Sequence, residues 1–142
     1  MNRSIAIRLA LAATLGAVVL GTQVGAQVTK GKSRPLTTKQ LMNGLLKPHC
    51  TAVGDALKGD GPADDKAWEA LATHAALVTE SGYTMMEDGR CPDAVWAGAC
   101  KTIQDSGKTL LEKIEAKDLA GSREAFGTLT GSCKSCHVAH KK

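Results

Sequence analysis

The sequence predicts an all-α fold, an antiparallel four-helix bundle in up-down-up-down order, and three observations carry that expectation. Apolar residues recur at helical spacing in four stretches. Short breaks rich in Gly, Pro and Asp separate them, and short links force successive helices to run antiparallel. Runs that alternate β-branched or aromatic with polar residues are missing, as are internal repeats and low-complexity tracts.

The first helix begins near Thr37, because Thr37-Thr38-Lys39-Gln40 has the spacing of a capping box. Leu41, Leu45, Ala52 and Ala56, with Met42, Leu46, His49 and Val53, then repeat at helical spacing. Pro48 lies inside this helix, so the helix must kink there or begin as a separate piece, since proline lacks the N–H and clashes with the preceding turn. Gly59-Asp60-Gly61-Pro62 ends it. Asp64 and Asp65 open a second helix, whose apolar stripe is Trp68, Leu71, Ala75, Val78, Gly82 and Met85, with Gly89 as its C′ residue. Cys91-Pro92-Asp93 opens the third, which carries Trp96, Ala99, Ile103, Leu110 and Ile114 on one face. Asp118 caps a fourth, with an inner face of Phe126, Leu129, Cys133, His137 and His140.

The two ends of the chain differ in kind. Residues 1–26 have the three parts of a secretory signal: basic Arg3 and Arg8, an apolar run from Leu9 to Leu20, and the small-residue sequence Val24-Gly25-Ala26 before a cut after Ala26. The run is too brief to span a bilayer, which takes roughly 20 apolar residues, so no stable membrane insertion is expected after cleavage. Residues 27–36 read as a flexible leader and residues 37–142 as one domain, a length that supports one core. Without Arg3 and Arg8 the formal charge falls from +4 to +2, too small and scattered for a nucleic-acid partner.

Export makes disulfides available to the five cysteines, and spacing divides them. Cys133-Lys134-Ser135-Cys136-His137 is the C-x-x-C-H pattern of c-type haem attachment. On a helix, positions i and i+3 share a face, so both sulfurs reach the vinyl groups of one porphyrin while His137 at i+4 turns an imidazole to the iron. A redox dithiol would call for a βαβ setting, and a structural zinc site for a second ligand pair; the sequence has neither. The expected cofactor is therefore one haem c, held covalently by Cys133 and Cys136 with His137 as proximal ligand. Cys50, Cys91 and Cys100 allow at most one internal disulfide, with the pairing open.

A four-helix bundle with C-x-x-C-H near the end of its last helix resembles the class II cytochromes c, the cytochrome c′ group. The resemblance implies a haem between the helices at one end of the bundle, its open face toward the first helix. It also divides function by that open face: low-spin members place a methionine there and transfer electrons, while cytochromes c′ proper leave it vacant and bind small gases. Members are often dimers through their first two helices, which makes a homodimer an expectation here.

Up-down-up-down order sets the first turns of the first helix beside the last turns of the fourth. Met42, about one turn in, is the expected sixth ligand, and a thioether opposite a histidine raises the iron's potential. His49, seven residues on, is the second choice; Met85 and Met86 pack against the ring edge. Gly82 leaves room for the macrocycle at a cost of roughly 1 kcal/mol against alanine. Lys39 and Arg90 lie near the propionates, although a solvated surface charge is the commoner fate of each. The function expected is a periplasmic one-electron carrier that serves redox partner proteins and is not an enzyme. The alternative is a five-coordinate binder of NO or CO. A peroxidase, more distant, would want a distal histidine, for which His49 is the nominee.

Overall fold

In a computed structural model the chain is described from residue 31 to residue 141. The expected signal peptide at 1–26 and the first part of the expected leader, 27–30, lie outside the described residues.

The described elements are all helical: α1 Thr38–Leu41, a π-helical segment Met42–Leu46, α2 Lys47–Ala56, α3 Asp65–Thr84, α4 Ala94–Glu115 and α5 Leu119–His140. α1, the π segment and α2 follow one another without a break and form the first long helix of a four-helix bundle. Caps fix the starts as the sequence requires. Thr37 and Gln40 make the reciprocal capping box, and the Asp64, Asp93 and Asp118 carboxylates accept from the N–H groups of Ala67, Trp96 and Gly121.

Pro48 acts through the π segment. It sits in the first turn of α2, where the missing N–H costs least, and the Lys47 N–H reaches back five residues to the Met42 carbonyl. The wider turn takes up the misfit between the proline ring and the turn before it, so the helix bulges where a sharp kink was the alternative.

The order is up-down-up-down. α3 packs on α2 and on α4, and α4 packs on α5. At one end, the Trp96 indole N–H donates to the Met85 carbonyl at 2.9 Å, which joins the end of α3 to the start of α4. At the other end, Lys117 pairs with Asp65 at 2.7 Å, and Arg123 donates to the carbonyls of Leu57 and Gly59. Leu71, Ala75, Val78, Ile103, Leu110, Ile114 and Leu129 fill the core between them.

Three local readings are corrected. α3 ends at Thr84, with Met85 as its cap, so Gly89 (φ 76°) belongs to the connection that follows and not to the helix end. Gly82 does not clear space for a macrocycle: a Cβ there would meet the Ile103 side chain at 3.0 Å and the Cys100 carbonyl at 3.1 Å. With Gly107, where a Cβ would collide with the Thr79 side chain, it lets α3 and α4 approach closely.

The third correction concerns the described part of the leader. Residues 31–36 are tied down across the connection after α3. The N–H groups of Ser33 and Arg34 donate to the Asp88 carboxylate, each at 2.9 Å, the Lys32 N–H donates to the Asp88 carbonyl at 3.0 Å, and Arg90 donates to the Leu36 carbonyl at 3.1 Å. The Arg34 N–H first, then those from Ser33 and the charge of Arg90, push the Asp88 carboxyl down to about 2.

Two outcomes follow from this packing. Leu110→Ala, at a side chain with no exposed surface, lowers stability by about 2–5 kcal/mol in urea unfolding followed by circular dichroism, and a loss well under that range would contradict the core described here. Because the Asp88 carboxyl is depressed in the folded chain, its contribution is complete above about pH 4 and is lost as pH falls toward 2. The Ser33 and Arg34 amides should therefore be protected from hydrogen exchange at pH 5 and lose that protection near pH 2; equal protection at both would contradict the tie.

Candidate haem site

The core stops short of one end of the bundle and leaves a cavity of about 510 Å³ there. Thr38, Met42, Leu46 and Cys50 line it from the first helix, Met85 from the end of α3, and Trp96, Ala99, Cys100 and Ile103 from α4. α5 contributes Thr130, Cys133, Cys136, His137 and His140. The volume lies within the roughly 300–1,000 Å³ of small-molecule and cofactor pockets, and most lining residues are apolar or carry sulfur, as a flat apolar ring requires.

The C-x-x-C-H residues occupy the last turns of α5, where the helical repeat brings Cys133, Cys136 and His137 to one cavity. Cys136 is buried and Cys133 half-buried, while His137 stands exposed on the rim, nearer solvent than an inner-face position implies. Burial raises both thiols above their ordinary value. Neither cysteine is in a disulfide, so both sulfurs are available for thioether bonds. Volume, lining and donor set together fit a covalently held haem.

Met42 lies in the π segment and reaches the same cavity from a different helix, half-buried against the core. His49 is not brought to it. Its Nδ1 lies 2.8 Å from Nδ1 of His74 on α3, and it is absent from the cavity wall. Met85, only 2% exposed, forms part of the wall, and Met86 packs on the core beside it. Trp96, also 2% exposed, is met edge-on by His140, with ring centres 5.5 Å apart. His140 Nε2 is 3.4 Å from Asp93 Oδ1, whose carboxyl is lowered first by the Trp96 N–H and then by His140.

The two cations expected near the propionates part company. Lys39 lines the cavity mouth, as do Lys47 and Lys141. Arg90 is 1% exposed beneath residues 31–36, the opposite of a solvated surface charge. Its Nη1 lies 3.4 Å from Asp88 Oδ2, and neither Nη1 nor Nε makes a hydrogen bond.

Sequence reasoning missed two wall residues, Cys50 and Cys100. Both were weighed only as disulfide partners, yet both are free and line the cavity. Burial, with Cys133 nearby, pushes the Cys50 thiol up to about 11; burial, with Cys136, Cys91 and Cys133 nearby, pushes Cys100 up to about 12. The signal for Cys50 was its spacing, one helical face on from Met42 and Leu46. Among the described residues no group of three or more His, Cys, Asp or Glu is arranged to hold a metal ion.

No protein-family model matches the chain, and no solved structure does. Cytochrome c′ of Alcaligenes xylosoxydans xylosoxydans is 30% identical over 108 residues, which cover 69% of this chain and 85% of that protein. With that likeness over an all-helical bundle, the chain belongs to the cytochrome c′ family: it is a monohaem c-type cytochrome with one covalently attached haem c.

Proposed function

We propose that this protein is an exported one-electron carrier. Cys133 and Cys136 hold the haem through thioethers, His137 is the proximal ligand and Met42 the sixth. The observation that carries the reading is that Met42 lines the same cavity as Cys133, Cys136 and His137 while standing on a different helix. The haem supplies an iron that cycles between two oxidation states.

The chain's own residues do the rest. Met42, which lines the cavity from a different helix than the two cysteines, would as sixth ligand close the iron to exogenous ligands, and a thioether there would favour the reduced state. Trp96, Leu46 and Ile103 exclude water and hold the surroundings apolar, which also raises the potential. The carrier reading, rather than an enzyme, draws support from Cys50 and Cys100: their raised thiols are protonated near neutral pH and are not activated nucleophiles.

Periplasmic location rests on the signal peptide read at 1–26, and no described helix is long and apolar enough to cross a membrane. The partners are redox proteins that reach the haem edge; neither nucleic acid nor a stably bound membrane is among them, and a homodimer accords with the family. A second reading, a five-coordinate protein that binds NO or CO, has one observation in its favour: the similar protein is named a cytochrome c′, the group whose resemblance implies a vacant sixth position.

The two readings separate in Met42→Ala. A carrier loses its low-spin spectrum and gains carbon monoxide affinity by tenfold or more, about 1.4 kcal/mol. A gas binder already has that affinity, and an unchanged spectrum and affinity in the variant would contradict methionine ligation.

A further inference from the structure

His49 and His74 are the two histidines that the haem chemistry does not use and that the cavity does not contain. They stand on α2 and α3, both half-exposed, and meet Nδ1 to Nδ1 at 2.8 Å. Two imidazole nitrogens at that distance share a single proton, with one ring donating and the other accepting. Leu45, Leu46, Val53, Leu71 and Val78 lie within four residues of one or the other along their helices, so no acid on the same turns claims either ring.

We propose that His49 and His74 form a second, non-haem metal site that takes one divalent transition ion of the imidazole-binding class, such as Zn²⁺, in place of the shared proton. Neutral imidazole is a common ligand for such ions. On one tetrahedral ion at about 2.0–2.1 Å, two imidazoles place their nitrogens about 3.3 Å apart and their ring centres about 5.2 Å apart. The ring centres here are 5.1 Å apart. The helices thus hold the ring centres at the required spacing; the two Nδ1 atoms face each other along the line of centres, so each ring must pivot by about 35° as the nitrogens open by about half an ångström. No third protein ligand joins them among the described residues, so water completes the coordination. The half-exposed position lets both the ion and that water enter. Bound there, the ion ties the π-bent first helix to α3, a link that favours the folded chain in proportion to ion concentration.

The test is a Zn²⁺ titration of the haem-loaded protein by calorimetry, with His49→Gln, His74→Gln and, as a control, His140→Gln. The expected result is one ion per chain, bound at least tenfold more weakly in each of the first two variants and unchanged in the third. Binding that survives both His49→Gln and His74→Gln, or no saturable binding, would overturn the proposal. Should either variant fail to fold, histidine ring resonances of the unaltered protein decide: Zn²⁺ must perturb those of His49 and His74, and a change confined to other histidines overturns the site.

Discussion

The indole N–H of Trp96, bonded to the Met85 carbonyl, holds the haem end of the bundle together. It joins the last turn of α3 to the first turn of α4 where the interhelical core has run out, and it satisfies the one polar atom of a nearly buried ring. With that corner fixed, Met85, Trp96, Ala99, Cys100 and Ile103 form one wall of the cavity. His140 abuts the same ring, so the tail of α5 beyond Cys133, Cys136 and His137 is seated by the same residue.

Opposite that wall, the geometry is set by a backbone constraint. Pro48 cannot join the hydrogen-bond ladder, and the π segment that accommodates it rotates Met42 relative to the helix beyond. The same shift separates the fates of two side chains that a regular helical repeat would place on one face. Met42 stands on the cavity, whereas His49 turns to α3 and meets His74. A single proline thus parts the haem chemistry from the histidine pair.

The bundle was legible because its signals are local. Three aspartate caps, one capping box and the apolar stripes of four helices each act within a turn or two, and each appears where the sequence puts it. What failed to read were contacts between elements. Gly82 looked like space for a ring and proved to be space for α4; Arg90 looked solvated and lies beneath residues 31–36; Cys50 and Cys100 were open, with Cys91, as disulfide partners and are free thiols on the cavity wall. Gly89 misled for a related reason: its positive φ was anticipated, but a helix end and a turn five residues later ask the same of a glycine. The C-x-x-C-H motif was specific enough to name the cofactor, whereas the sixth ligand depends on the twist of a helix that periodicity treats as regular.

The most direct test is the optical spectrum of the purified haem-loaded protein, oxidised and reduced, with and without carbon monoxide. Histidine–methionine coordination predicts sharp low-spin bands, a weak far-red band in the oxidised form, and a reduced spectrum that carbon monoxide leaves unaltered. A high-spin spectrum that shifts on adding carbon monoxide would contradict electron transfer through a six-coordinate iron and make this cavity a gas-binding one.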